Sequence, residues 1–381
     1  MSFQMTEEQK MATDSLRKFL DKEIEPEFIA HGEGRISKEQ MTKWSKRLAS
    51  FGLVNAPIPE EFGGMGMDWV THLRLWEEVA VTSLDIAAPL LINVAGADLL
   101  VQNAPKHIQD KYLSGLLKGE MFIGVGISEP DVGSDVAAVK TQAIRDGDDW
   151  VINGEKTWIS NGEYMDLFVC TCKTGDGELT HIAIDGNHPG LEVRHIPKMA
   201  LNGQSTSQIF LTDVRVPVAD TVGKIGKALM NTLVIFERAR CHMAAWGYSL
   251  GRRALEESIK YSQDRTQHGK PIAGHQLIAD KIATMATEID AARLLTLHAA
   301  DMIDKGIRCD KEASMAKWYG TEIGVSATRQ AVQLHGGNGV SKEFIVERLA
   351  REAMIGPIPD GTTEIQKLLI SRILTGVQAF R

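Results

Sequence analysis

Apolar residues recur every three to four positions along the first and last parts of the chain, and they alternate in the part between. Those periods mark helices and strands respectively. "TEEQKMATDSLRKFLDKEI" opens on Thr6 as an N-cap with acids in the first turn, so a helix begins there. "SKEQMTKWSKRLASFG" begins on Ser37 and is expected to close on Gly52. "PIPEEFGGMGMDW" is a loop. Helical periodicity resumes over about 69 to 102 with a break expected near Pro89, and "APKHIQDKYLSGLLKGE" runs to Gly119.

From about 122 to 220 the runs are short and β-rich: "LFVCTC", "HIAID", "LEVRHI" and "SQIFLTDVRVP". The Asn-Gly pair in "WVINGEKTWIS" predicts a hairpin turn. Helical periodicity then returns over 226 to 263, 275 to 304, 311 to 335, 342 to 354 and 362 to 374. Long helices with short links predict a bundle. The expected organisation is a helical domain (1–121), a β domain (122–224) and a helical bundle (225–381).

Composition narrows the function. The 381 residues suffice for two or three domains. A formal charge of -8 argues against a nucleic-acid partner, which needs a basic stripe. No apolar run reaches the ~18 residues that would suggest a membrane helix, so no membrane is expected. The first residues carry acids and no apolar core of a secretory signal. Cys170, Cys172, Cys241 and Cys309 form no CxxC and are expected as free thiols in a reducing cytoplasm.

Several motifs carry candidate chemistry, each with a plainer alternative. "GISEPDVGSDVAAVKTQA" sets Ser128 before a loop with Gly133, Ser134 and Asp135, where hydroxyls and amides suit an anionic or carbonyl ligand. The alternative is a capped solvent loop. In "EKTWISNGEY", Trp158 precedes Ser160 by two residues; on a strand both face one way and suit a flat cofactor. The alternative is a core Trp and a turn Ser. "DRTQHGKPIAGHQ" offers Arg265, whose fork of donors suits a pyrophosphate, or else a solvated helix end. "QLHGGNGV" offers Gly336, Gly337 and Gly339 for close backbone approach, or else a helix-terminating loop. "GPIPDGTTEIQ" sets Asp360 between a proline and a glycine, as a turn or as a base. GxxxxGK[ST] and GxGxxG are absent. The Glu-x-x-His spacings, Glu178 to His181 and Glu192 to His195, fall in the β region, so no di-iron bundle and no metal is expected.

Taken in order, "ISEPDVGSDVAAVKT", "INGEKTWISNG", "FLTDVRVP", "DRTQHGKPIAGHQ", "QLHGGNG" and "DGTTEIQ" resemble the acyl-CoA dehydrogenase family over nearly the whole chain. The resemblance implies an N-terminal helical domain, a middle β-barrel, a C-terminal four-helix bundle, and a homotetramer. It implies FAD, an acyl-CoA substrate and electron-transfer flavoprotein as acceptor. By motif position, Ser128 and Ser134 lie near flavin and CoA, and Trp158 and Ser160 flank the flavin ring. Arg265 matches the arginine that reaches the FAD pyrophosphate of a neighbouring subunit. Gln333, Gly336 and Gly337 match the stretch meeting the ADP half, and Thr362 and Glu364 the segment near the adenosine part. Arg240 matches the arginine of the substrate-lining helix, with Phe236 and Glu237 just before it.

The resemblance departs at the base. Most members carry an aromatic-glutamate pair where this chain has Pro359-Asp360. A second branch places its base immediately before the arginine, but that position is Ala239. Glu237 faces elsewhere on the helix, so Asp360 is the candidate base. Aspartate retracts the carboxylate by about 1.5 Å, the length of a C–C bond. A shorter base and a small Pro359 imply an acyl group that is branched or cyclic at the α-carbon, such as cyclohexanecarboxyl-CoA. A straight-chain dehydrogenase, an enoyl-CoA reductase and an acyl-CoA oxidase are the alternatives. His268, Asn202 and Gln204 depart from the family pattern as well.

Overall fold

A computed structural model describes residues 4–379. Six helices come first: α1 (Glu7–Phe19), α2 (Glu25–His31), α3 (Lys38–Ala49), α4 (Trp69–Thr82), α5 (Leu84–Asn103) and α6 (Lys106–Leu117). Eight strands follow: β1 (Ile123–Gly126), β2 (Gln142–Asp146), β3 (Asp149–Ser160), β4 (Leu167–Gly175), β5 (Glu178–Asp185), β6 (Leu191–His195), β7 (Thr206–Pro217) and β8 (Thr221–Val222). Then come α7 (Ala228–Asp264), a small ribbon of β9 (Thr266–Gln267) and β10 (Lys270–Pro271), α8 (Gln276–Asp304), α9 (Asp310–His335), α10 (Val346–Ala353) and α11 (Thr363–Thr375). The chain forms two compact units, one of residues up to 22, 69–84 and from 237 onward, the other of 23–68 and 85–236. The helices expected before residue 121 are thus divided between them.

The caps explain the early helix starts. Thr6 accepts from the Gln9 amide at 3.1 Å while the Gln9 side chain accepts from the Thr6 amide, a reciprocal capping box. Ser37 caps α3 through the Gln40 amide at 3.2 Å. That helix ends at Ala49 rather than at Gly52. Gly52 (φ 84°) turns the chain beyond it, where a Cβ would press Ala56 and Met65 at 3.1 Å. The break expected at Pro89 lies instead at Ser83, and Pro89 rides inside α5. Its missing donor costs one helical bond. Full burial of Leu84, Ile86, Leu90, Val94 and Leu100 outweighs that loss. Among the described residues α5 has the length and composition to cross a membrane, but 83% of that window is buried in the protein. Asp85 and Asp98 punctuate the run, which is why no unbroken apolar stretch appears in the sequence.

In the unit of 23–68 and 85–236, the strands lie in the order β6-β7-β3-β2-β4-β5-β8, with β1 on β4. The sheet is open, which corrects the expected barrel. Its end strands cannot close on each other: β8 has two residues, and β6 pairs only with β7. Strand β4 shows how both faces are filled. Phe168, Cys170 and Cys172 face a core with Ile152, Ile159, Ile182 and Ile209. Leu167 and Val169 face Leu99, Leu100, Ile108 and Leu116 of α5 and α6. All four cysteines are free and buried. Asn153-Gly154 is no hairpin turn. It lies inside β3, and the turn falls at Gly147 (φ 64°) between β2 and β3. Gly154 (φ 152°) instead permits contact with Thr141, which a Cβ would meet at 2.6 Å. Asn153 bonds Asp213 across a bulge in β7.

In the other unit, α7 and α9 meet backbone to backbone. A Cβ on Gly247 would sit 2.1 Å from the Gly320 carbonyl, and one on Gly324 would sit 2.5 Å from the Gly247 carbonyl. Buried Glu77 accepts from Arg252 at 3.0 Å and Arg293 at 2.8 Å. Burial alone would raise its pKa, but the two guanidinium groups outweigh it and hold the carboxyl below its usual range. His72 and His242 share a hydrogen bond of 2.8 Å between their Nε2 atoms, edge-on to Trp69.

In that pair one nitrogen donates and the other accepts, so the accepting nitrogen carries no proton, and burial opposes a charge on either ring. Burial pushes His72 well below its usual value, with the facing His242 adding to it, and lowers His242 to about 3. Both folded-state values are depressed, so the stabilisation is complete above the unfolded value near 6.5 and is lost as pH falls through it. Urea unfolding should lose about 1.4 kcal/mol per pH unit for each histidine below that point. The double variant His72→Asn, His242→Asn should flatten the slope; an unchanged slope would assign the acid sensitivity elsewhere.

Candidate active site

Helix α10 ends at Ala353 and α11 starts at Thr363, with Asp360 in the loop between. Two successive residues take positive φ, Asp360 at 56° and Gly361 at 89°. Aspartate tolerates this region and glycine suits it. A Cβ on Gly361 would also strike the Gln366 amide at 2.5 Å. Buried Gln366 donates through Nε2 to the Asp360 carbonyl (3.1 Å) and to the Gly361 carbonyl (2.9 Å). At the neck, the Pro357 carbonyl accepts from the Thr363 amide at 3.1 Å and from Lys317 Nζ at 2.9 Å. Thr362 caps α11 through the Ile365 amide, and Thr363 donates to Glu322 at 2.6 Å. The turn is therefore held at tip, neck and exit.

The charges around it are removed from water. Asp360 is half-buried as a residue, but loss of water at its carboxyl raises the pKa, against the pull of Lys317 and Arg240. Lys317 on α9 is fully buried, and burial lowers it to about 8 despite the facing Asp360. Burial likewise lowers buried Arg240 on α7, against Asp310 at 3.9 Å and Asp360. Ala239 is buried and offers only a methyl group. Glu237 is engaged elsewhere: it accepts from Arg308 Nε at 2.6 Å and from the Cys309 amide at 3.4 Å. Burial raises its pKa and Arg308 opposes that. Phe236, just before it, is half-buried. Glu364 is exposed at the start of α11, where the backbone amide and Thr362 hold its carboxyl below the usual range.

A cleft of about 480 Å³ opens in the same unit beside the β9–β10 ribbon, lined among others by Arg265, His268, His275, His335, Gly336 and Gly337. Gly336 ends α9 with φ 60°, and no atom lies within 4 Å of a Cβ built on it or on Gly337. His335 stacks on Tyr261 at 4.2 Å, flooring the cleft. One arginine, three histidines and bare backbone suit an anionic group. Gln333 lies three residues before Gly336 on an exposed position and does not line this cleft.

The serine and tryptophan motifs lie together in the sheet-bearing unit. The Ser128 carbonyl accepts from the Thr157 amide at 3.0 Å, which fastens its loop to β3 next to Trp158. Beneath the loop, buried Glu129 accepts from Lys156 Nζ at 2.8 Å and from the Lys140 and Thr141 amides at 2.8 and 2.9 Å. Strand β3 bulges between Lys156 and Ile159, and Trp158 takes φ 61°. The simple alternation assumed for Trp158 and Ser160 is interrupted there. The bulge turns the indole outward, 61% exposed, which excludes the core-tryptophan reading. Ser128 and Ser160 are half-buried, and Ser134 is exposed.

Three family models match consecutive parts of the chain: the acyl-CoA dehydrogenase N-terminal domain over 6–120, the middle domain over 124–214 and the C-terminal domain over 227–375. The chain belongs to the acyl-CoA dehydrogenase family. It is 36% identical to the probable acyl-CoA dehydrogenase YngJ of Bacillus subtilis (strain 168), covering 98% of this chain and all of that one. It is 33% identical to the cyclohexane-1-carbonyl-CoA dehydrogenase of Syntrophus aciditrophicus (strain SB), covering 98% of each. Among solved structures, it matches the Mycobacterium smegmatis glutaryl-CoA dehydrogenase in complex with FADH2 with a TM-score of 0.92 at 25% identity, covering 99% of this chain and 97% of that one. This acyl-CoA dehydrogenase is an oxidoreductase whose cofactor is FAD.

Lys317, Gln366, Glu129 and Lys156 went unread in the sequence. Lys317 had one visible signal: it shares a helical face with Ala313, Gly320 and Gly324, all buried. Gln366 is separable by experiment. Replacing it with alanine removes both donors at the tip of the turn, so amide exchange over 357–362 should accelerate. Stability should fall by about 1–3 kcal/mol, and wild-type protection in Gln366→Ala would show that the turn holds without it.

Proposed function

We propose that the chain dehydrogenates an acyl-CoA whose α-carbon is branched or part of a ring, such as cyclohexanecarboxyl-CoA, with Asp360 as the base. The observation that carries this is the Asp360 turn: a short acid beside Pro359, in a loop that Lys317 and Gln366 fasten, with Lys317 and Arg240 acting on its charge. A raised pKa makes the carboxylate a stronger proton acceptor. Proline in place of an aromatic leaves room beside the turn. The relative named for a cyclic substrate points the same way.

Asp360 takes the α-proton, and the positive charges of Lys317 and Arg240 favour the negative charge that gathers at the thioester. When bound, FAD would supply the acceptor for the β-hydride. The residues of each unit fit such a cofactor in kind: the bare indole of Trp158 would suit the ring, and Arg265 with the open backbone at Gly336 and Gly337 would suit the diphosphate of an FAD held by a neighbouring subunit. Ser128 and Ser160 provide hydroxyls near that indole. Ser134, Phe236 and Arg240 are assigned to substrate, and Glu237 serves that wall by anchoring Arg308. Electron-transfer flavoprotein as acceptor and a homotetrameric assembly complete the proposal.

The test is an anaerobic titration of FAD-loaded enzyme with straight, branched and cyclic acyl-CoAs, followed by flavin absorbance. Ring substrates should bleach the flavin. Asp360→Asn should slow this by about 10²–10⁴-fold. Asp360→Glu should lose activity on ring substrates. Bleaching by straight-chain substrates alone would overturn the substrate reading.

A further inference from the structure

Lys317 is a fully buried cation, and burial costs an ammonium group dearly unless something answers it. A methionine would fill the same space at less expense. Its Nζ donates at 2.9 Å to the Pro357 carbonyl, the same oxygen that accepts from the Thr363 amide at 3.1 Å. Residues 357 and 363 bracket Asp360, so the ammonium closes the neck of the loop whose tip carries the acid. The acid facing it most strongly is Asp360 itself. The other charges facing the pair come from Arg240 on α7, Glu322 on α9 and Glu364 on α11, with Asp310 and Glu237 acting on Arg240.

We propose that Lys317 is a positioning residue for the base, pinning the neck of the Asp360 loop to α9 and setting a positive charge beside the acid at its tip. The proposal rests on the reading of Asp360 as base. The two jobs are separable. The hydrogen bond fixes where the carboxylate sits, and a displacement of ~1 Å costs about 10²-fold in rate. The charge acts at any orientation, and an opposite charge nearby lowers a carboxyl pKa by about one to three units. Burial lowers Lys317 to about 8, and Asp360 is the first of the charges that oppose that fall.

The experiment compares Lys317→Met, Lys317→Gln, Lys317→Arg and Asp360→Asn as FAD-loaded enzymes, reading kcat, KM and the pH profile of kcat/KM. Flavin content and thermal melting establish folding for each. Lys317→Met should lower kcat by about tenfold to a hundredfold with KM little changed, and move the acid limb up by about one unit. Lys317→Gln keeps a donor without the charge, so its limb should move equally while kcat falls less; it carries the test if the methionine variant does not fold. Lys317→Arg should restore the limb. Folded, loaded Lys317→Met or Lys317→Gln with wild-type limb and kcat, beside an inactive Asp360→Asn, would overturn the role of Lys317 and leave the base reading standing. Activity surviving in Asp360→Asn would overturn the base reading and this proposal with it.

Discussion

The contact between α7 and α9 governs the chemistry of its unit. Gly247, Gly320 and Gly324 let two helix backbones touch, and Ala244 meets Gly320 in the same patch. One turn before that contact on α7 stands Arg240; nearly one turn before it on α9 stands Lys317. A Cβ at Gly247, Gly320 or Gly324 would strike the facing backbone and push the two helices apart. The glycines cost conformational entropy in helix interiors. What they provide is a separation set by main chain, which side-chain rearrangement cannot relax.

The electrostatics follow from that separation. Asp360 is destabilised as an anion by burial and restabilised by two cations, and burial drives each of those cations toward neutrality in turn. Glu237 and Asp310 stand behind Arg240 and temper its charge. The outcome is a carboxyl shifted upward, with two cations opposing the shift.

Much of this was legible in the sequence, and the failures have physical causes. Thr6 and Ser37 announced their helices because capping is a local interaction. The C-terminal helices fell within a few residues of their expected bounds because their apolar faces repeat over many turns. Pro89 misled because tertiary burial overrode a local cost. Asn153-Gly154 misled because the glycine answers to a neighbour distant in sequence, Thr141. The β domain was expected to close into a barrel, but closure depends on end-strand lengths that alternation does not reveal. The candidate site residues were read from motifs. The residues that hold them, Lys317, Gln366 and the Glu129–Lys156 pair, were not, because a buried polar group looks like any other until its partner is known.

The bulge in β3 amounts to a change of parity. Lys156 and Ile159 are three residues apart, so a regular strand would send them to opposite faces, yet both side chains are buried. The extra residue resets the count, and everything after it reads in the opposite phase. Trp158 emerges at the reset, and Ser160 inherits its phase from it. Where the indole points is thus decided by how many residues lie between two core positions, more than by which residues they are. The strand can accept many exchanges along this stretch and still present that ring. It cannot gain or lose one residue there without turning Ile159 outward.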